Sequence, residues 1–306
     1  MSAPFIRSAG GKRELAPQIL SLMPQPPAFD TYVEPFAGGA AVFYALWNDG
    51  RLDNKTVVLG DGDPDLIALY AAVRDDVLSL IRETDRLIAQ ANKASSPEDF
   101  YNEQRGLWNK GGRYRTPARH LFLRRACFNG LWRTNKAGEM NTPWKGEPPK
   151  PLDPPVLLRA MSSLTTPKAE LLDWDFRRYE EDEDFFIGPR TLVYVDPPYL
   201  GDAEDFTSYL PSGWNKEDLD HLLRLCREWT IRGAHVVLSH SDTSTMRDAL
   251  RANWPSVSLT ETTARRAINS DAEGRGPVGE LIVVGTVDTS PVMLRSVPRV
   301  EDARSE

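Results

Sequence analysis

The sequence predicts an α/β fold: a doubly wound, mostly parallel sheet interrupted by an inserted helical domain. Three observations predict it. Short apolar runs of strand type alternate with helical segments in both halves of the chain, as repeated β–α units require. That alternation lapses from about residue 75 to 160, where the chain is helical, basic and rich in Trp, Asn and Gly. Two late strand-like runs joined by a Gly-rich polar loop give the sheet an antiparallel finish.

The first unit runs from the strand Thr31–Val33 through the turn Phe36-Ala37-Gly38-Gly39-Ala40-Ala41 into an apolar helix, Val42–Trp47. Thr56–Leu59 is a short buried strand ending at Gly60-Asp61. A helix follows over Pro64–Arg74, with Leu66, Ile67, Leu69, Tyr70 and Val73 near a 3.6-residue period. A second helix, Val77–Gln90, lines up Leu80, Ile81, Leu87 and Ile88. The inserted stretch ends among Pro148, Pro149, Pro151, Pro154 and Pro155. Alternation then resumes with the strand Thr191–Val195, the helix Glu217–Trp229 and the strand His235–Leu238. Val257–Thr262 and Leu281–Val284 are the late strands. The expected organisation is one discontinuous domain, 1–74 with 161–288, an inserted domain over 75–160, and a loose C-terminal tail over 289–306.

Composition narrows the class. The chain has 306 residues, 41% hydrophobic and 26% charged, ordinary values for a globular protein. It contains no apolar run long enough to cross a membrane and no apolar core of signal-peptide type near Met1. Cys127 and Cys226 stand far apart, without the spacing of a zinc site or a disulfide framework. An intracellular, reducing compartment is the expectation. The net charge of −7 speaks mildly against a nucleic-acid partner, but location matters more than sum. Between Arg105 and Lys150 eleven basic residues face only Glu139 and Glu147. A solvated helical face is the bland account of that run; a DNA-binding surface is the sharper one.

The strongest chemical signal is Asp196-Pro197-Pro198-Tyr199, directly after a strand of buried type. Two prolines stiffen the backbone and remove donors. The Asp196 carboxylate and a neighbouring backbone carbonyl are then both acceptors at a strand's C-terminal end, where open α/β sheets bind ligands. An exocyclic amino group offers two donors, so two fixed acceptors match it. Accepting both favours a pyramidal nitrogen and localises a lone pair otherwise delocalised into a base. Tyr199 supplies a flat face for stacking.

The second signal is Val33-Glu34-Pro35-Phe36-Ala37-Gly38-Gly39-Ala40, a glycine turn that lets a ligand approach the backbone. It has neither dinucleotide-site nor phosphate-loop spacing, and Gly10-Gly11-Lys12 lacks a phosphate-loop context. The third is Asp61, 22 residues after Gly39. A carboxylate there suits a ribose diol; Asp61 or Asp63 capping the next helix is the competing account.

In this order, Gly10-Gly11-Lys12, Val33–Gly39, Asp61 and Asp196–Tyr199 resemble the Dam-like (D12 class) N6-adenine-specific DNA methyltransferases. The segment Phe128-Asn129-Gly130-Leu131-Trp132-Arg133-Thr134-Asn135-Lys136-Ala137-Gly138-Glu139-Met140-Asn141-Thr142-Pro143 resembles that family's target-recognition segment. The resemblance extends from about residue 8 to 286. It implies a fold of S-adenosylmethionine-dependent methyltransferase type, with residues 75–160 as the target-recognition domain. It implies methyl transfer from S-adenosylmethionine to adenine N6 in double-stranded DNA by base flipping, at GATC-like sites, with no metal. Asp196, Pro197, Pro198 and Tyr199 then form the catalytic set. Ser8, Lys12, Glu34, Phe36, Gly38, Gly39, Asp61, Asp175, Phe176 and Asp196 border the cofactor. Arg7, Phe128, Asn129, Leu131, Arg133, Asn135 and Pro143 are the DNA-binding candidates, with Arg133 on a guanine edge and Phe128 as a wedge in the base stack. Ser8, Trp132 and Met140 depart from the usual pattern. Arg265-Arg266-Ala267-Ile268, followed by a Gly-rich loop and Glu280-Leu281, also resembles the family, with the loop placed to approach DNA phosphate. A bacterial or phage-encoded cytoplasmic enzyme is the implied setting, with a monomer as the default and restriction-modification among the expected roles.

Other readings remain in view. A cytosine-C5 enzyme needs a nucleophilic cysteine, and neither cysteine has that setting. N4-cytosine methylation shares the amine chemistry, with Ser more often in the place of Asp196. A catalytically silent DNA-binding relative is a different class of answer, against which the intact Asp196 and Tyr199 weigh.

Overall fold

The computed structural model describes residues 1–7, 11–182, 185–200, 213–265 and 277–285. The strands are β1 (Thr31–Glu34), β2 (Thr56–Gly60), β3 (Glu170–Leu172), β4 (Thr191–Val195), β5 (His235–Ser241), β6 (Val257–Arg265) and β7 (Pro277–Gly285). They form one seven-stranded sheet in the order β3-β2-β1-β4-β5-β7-β6. Pairings from β3 through β5 are parallel; β7 runs antiparallel to both β5 and β6. The chain therefore winds outward from β1 in one direction and from β4 in the other. The crevice of a doubly wound sheet opens at that reversal, beyond the C-terminal ends of β1 and β4.

The period-two alternation of the strands decides which face each side chain serves. Tyr32, Val57, Leu59, Leu192, Tyr194, Val237 and Ile282 enter one apolar cluster. Val33, Val58, Val193, Val195, Val236, Leu238, Leu281 and Val283 enter the other. Helices α1 (Ala16–Ser21), α2 (Ala41–Asn48) and α3 (Pro64–Asp75) cover the first face. Helices α8 (Arg178–Glu181), α9 (Lys216–Ile231) and α10 (Ser244–Asn253) cover the second. Their starts are written in the sequence: Asp63 accepts from the backbone of Asp65 and Leu66, Thr243 caps α10, and Asn215 with Asp218 forms a reciprocal capping box on α9.

The helical insert comprises α4 (Val77–Lys93), α5 (Pro97–Asn109), α6 (Pro117–Ala126) and the chain down to α7 (Pro154–Thr165). Its apolar residues Leu80, Ile88, Tyr101, Trp108, Leu121 and Phe122 belong to the same cluster as α2 and β1. The insert thus shares the core of the first sheet face. The expected domain boundary at 160/161 falls inside α7, because Leu157, Ala160 and Leu164 form one buried stripe across it. The expected β-elements all appear, the late pair in the antiparallel arrangement and longer than their apolar cores suggested. The Gly-rich loop 266–276 and the tail from 286 lie outside the described residues. No described helix is long and apolar enough to cross a membrane.

Candidate active site

Parallel strands deliver their C-terminal residues to one edge, and here that edge carries Glu34, Asp61, Asp196 and His240. Antiparallel β7 adds Glu280, in register with Ser241. After β4 the chain turns through the two prolines, with Pro197 buried and Asp196 partly exposed. Lys12 is only 4% exposed and its Nζ lies 2.9 Å from Asp196 Oδ1. The same ammonium donates to the Tyr199 hydroxyl, which itself donates to Glu280 Oε2 at 2.9 Å. Ser239 Oγ donates to Asp196 Oδ1 at 3.2 Å and is joined to Tyr194 OH at 2.7 Å. The carboxylate is therefore fixed from two sides. Burial pushes its pKa up, and Lys12 is the largest opposing influence.

Tyr199 is held in plane as well as at its tip. Its ring packs on His240, with centroids 4.8 Å apart. His240 Nδ1 bonds the Ser241 carbonyl at 2.9 Å, which assigns the proton to Nδ1 and leaves Nε2 to accept from the Leu200 N–H at 3.4 Å. Burial pushes His240 down to about 4, so the ring is neutral in that tautomer near neutral pH. His240 and Ser239 are site members that residue patterns alone did not pick out, and Glu280 stood out there only through the late family-like segment.

On the other side of the switch point lies the glycine turn. Gly38 takes φ +47 and Ala40 φ +51, and no atom lies within 4 Å of where a Cβ on Gly38 would sit. The backbone there is open to a ligand. Gly38 N–H donates to Asp61 Oδ2 at 2.9 Å, and Asp63 N–H to Asp61 Oδ1 at 3.0 Å. Asp63 is the cap of α3, so the two competing roles divide: Asp63 ends the helix and Asp61 braces the turn. Burial pushes Asp61 up to about 6. Glu34 is 2% exposed and accepts from Tyr32 OH at 2.7 Å.

An aromatic cluster completes this side. Phe36 stacks on Phe176 with centroids 5.8 Å apart, and Trp214 meets both edge-on. Asp175 is exposed and pairs with Arg177, whose guanidinium lies 4.5 Å above Phe176 and also reaches Asp218. Trp214 Nε1 and Tyr179 OH are buried donors without a partner among the described residues, the second set against Gly60. An open glycine backbone, a buried carboxylate, an aromatic cluster and buried donors without a partner among the described residues together fit an adenosine-bearing cofactor. Gly39 is buried in the same turn, and Ser8 lies outside the described residues.

The recognition segment forms a closed loop. Isolated bridges join Cys127 to Trp144 and Thr134 to Met140, and the Phe128 N–H donates to the Pro143 carbonyl at 2.8 Å. Phe128 is 46% exposed on a turn whose next two residues, Asn129 and Gly130, both have positive φ. Arg7 lies beside Gly130, and Arg133 is exposed. Leu131 is buried, with its carbonyl accepting from Thr142. Asn135 Oδ1 accepts from the Ala137 and Glu139 N–H groups, each at 3.0 Å. Leu131 and Asn135 build the loop that presents Phe128 and Arg133. Among the described residues no cluster of His, Cys, Asp or Glu is disposed to hold a metal.

Buried Glu34 has a measurable signature. Burial pushes its carboxyl up to about 8, against the opposing hydrogen bond from Tyr32. The folded chain then holds a proton that the unfolded chain has already lost, so stability falls as pH rises toward 8. Below about pH 6.5 the buried neutral His120 and His240 act in the opposite sense. The fall is therefore expected between about pH 6.5 and 8.5, at roughly 1–2 kcal/mol. Urea titrations of the ligand-free chain and of Glu34→Gln across that range check it; an equal slope in both refutes it.

The chain is similar to known proteins over most of its length. The family described as D12 class N6 adenine-specific DNA methyltransferase matches residues 8–268. The type II methyltransferase M.MjaIII of Methanocaldococcus jannaschii is 31% identical, over 89% of this chain and 94% of its own length. The type II methyltransferase M1.LlaDCHI of Lactococcus lactis is 28% identical, over 92% and 94%. The DNA adenine methylase of Escherichia coli K12 is 29% identical, over 92% and 94%.

Proposed function

Because the chain belongs to the D12 class of N6 adenine-specific DNA methyltransferases, we propose that Asp196 and Tyr199 are the groups that hold its target base. The reaction is transfer of a methyl group from S-adenosylmethionine to N6 of adenine in DNA. The single observation that carries the site assignment is the fixed carboxylate of Asp196, at the switch point and braced by Lys12 and Ser239.

S-adenosylmethionine, when bound, supplies an electrophilic methyl group on a positively charged sulfur. Asp61 would hold the ribose hydroxyls, the Phe36–Phe176–Trp214 cluster would pack against the purine, and the open backbone at Gly38 and Gly39 would border the methionine moiety with Lys12. Double-stranded DNA docks on the basic segment 105–150 within the recognition domain 75–160. Phe128 enters the base stack and the target adenine turns outward into the site. Asp196 and the Pro197 carbonyl accept the two N6 hydrogens, which turns the nitrogen lone pair toward the methyl. The Tyr199 ring, held by His240 and Glu280, stacks on the base. Proximity and orientation supply much of the rate. One protomer carries every group named, which supports a monomer, and a DNA substrate supports a cytoplasmic setting. The type II designation of two relatives supports a role beside a restriction enzyme.

The test is methylation of genomic DNA by the purified chain, read by nucleoside analysis and single-molecule sequencing. N6-methyladenine in one short motif, GATC or a close variant, is expected. N4-methylcytosine overturns the base assignment. In the same assay Arg133→Ala is expected to relax one base position, because a bidentate arginine–guanine contact contributes about 1–3 kcal/mol of discrimination. Equal loss on every sequence makes Arg133 a phosphate contact.

A further inference from the structure

Arg124 is a buried cation on α6, 8% exposed, and among the described residues no carboxylate forms an ion pair with it. Removing a charge from water without a partner is costly, and an apolar residue of similar volume packs more cheaply there. Core packing alone therefore does not account for it, and its contacts lead in two directions.

Toward the cofactor side, Arg124 Nε donates to His120 Nε2 at 2.7 Å, while His120 Nδ1 bonds the Asp65 carbonyl at 3.0 Å. The two bonds require one tautomer, a neutral imidazole protonated at Nδ1, and burial holds the ring well below the usual histidine range. Asp65 lies in the first turn of α3, just after the Asp61–Asp63 bend that braces Gly38. Toward the DNA side, the guanidinium lies 5.0 Å from the Trp132 ring and its Nη1 is 3.5 Å from the Arg7 carbonyl. The Arg124 carbonyl accepts from Cys127 Sγ and sits 3.4 Å from where a Cβ on Gly130 would be. His120 packs on the same tryptophan, centroids 4.4 Å apart. The Arg124 side chain thus reaches the first turn of α3 through His120 and touches Arg7 and the residue before Arg133, while its backbone carbonyl braces the turn beneath Phe128.

We propose that Arg124, oriented by His120, is a positioning residue that couples occupancy of the cofactor site to the setting of the DNA-recognition segment. The proposal rests on the reading that Arg133 and Phe128 face DNA. A ligand on Asp61 fixes the bend that carries Asp65; the Asp65 carbonyl fixes His120, and His120 fixes the plane on which Trp132 and Arg7 rest. Linkage makes the effect reciprocal: target DNA that sets Trp132 and Arg7 also tightens the cofactor site.

The test measures binding of S-adenosylhomocysteine, which permits no turnover, by calorimetry on the full chain. Each protein is titrated alone, with a duplex containing the methylated motif, and with a duplex lacking it. For the native chain the motif duplex is expected to tighten binding about tenfold, and the other duplex to leave it unchanged. Arg124→Lys keeps a cation near Asp61 but loses the fork to His120 and the flat face on Trp132. It is expected to bind S-adenosylhomocysteine alone as the native chain does, with the tightening reduced toward onefold. His120→Phe, which keeps the ring but not the bonds, is expected to do the same. Thermal melts confirm that the variants fold, and either variant alone carries the test. Native-like tightening in a folded variant overturns the proposal, as does a native chain that binds both ligands without coupling. A native chain that binds S-adenosylhomocysteine but no duplex overturns the DNA-recognition reading and the proposal with it.

Discussion

Asp196→Ala is expected to lower turnover on a target duplex by on the order of a hundred- to a thousandfold, while cofactor binding stays measurable. The carboxylate is held by Lys12 at 2.9 Å and Ser239 at 3.2 Å, so it needs no reorganisation when an amino group arrives. Alanine removes the acceptor and also leaves a buried ammonium facing a cavity. Asp196→Asn separates these effects. It keeps the volume, but an amide oriented by Lys12 and Ser239 turns its NH2 toward the incoming amine, donor against donor. Turnover should fall in both variants, with the asparagine form the more stable in a thermal melt. Near-native turnover in Asp196→Asn, measured with labelled cofactor under single-turnover conditions, removes Asp196 from the reacting pair.

The second large effect is expected at Asp61. Its two oxygens accept from Gly38 N–H and Asp63 N–H, so the carboxylate ties the end of β2 to the glycine turn after β1. In Asp61→Asn one of those N–H groups faces an NH2, and the turn loses a brace as the ribose loses a charged acceptor. Hydrogen bonds to charged groups contribute about 1.5–3 kcal/mol each. S-adenosylhomocysteine affinity is therefore expected to drop roughly ten- to a hundredfold, with kcat at saturating cofactor much closer to native. The native dissociation constant should also rise as pH falls through about 6, where Asp61 takes up its proton, and this dependence should vanish in the variant. A kcat loss at unchanged affinity assigns Asp61 to some other task.

Much of this site was legible because its chemistry sits where strands end. Asp196-Pro197-Pro198-Tyr199 and the glycine turn are contiguous in sequence and fixed by the β–α alternation around them. Asp61 follows from spacing. Glu280, Ser239 and His240 were less legible as partners of Tyr199 and Asp196, because their roles depend on β5 and β7 lying side by side beyond β4. Polar residues near strand ends are common, and only the register makes these three converge. The elements not singled out share a physical cause. Helix α1 spans six residues, β3 three, and α10 carries few large apolar side chains, so none offers a long periodic signal. The insert was legible as a change of rhythm, but its shared core was not, because composition does not reveal which neighbour an apolar face meets.

That shared core bears on how target choice diversifies. The loop from Phe128 to Pro143 is closed at its base by the Cys127–Trp144 bridge and held from beneath by Tyr101, Arg105 and Asn109. Helices α4 to α6, by contrast, interleave with α2 and β1 in one apolar cluster. Grafting the whole insert from a relative therefore transplants half of a jigsaw whose other half stays behind. Grafting the loop alone, with the inward-facing Leu131, Trp132, Met140 and Thr142 kept, exchanges the exposed readers on an intact stem. Drift in specificity is cheapest within some sixteen residues, and a chimera built for a new target should be cut at Cys127 and Trp144.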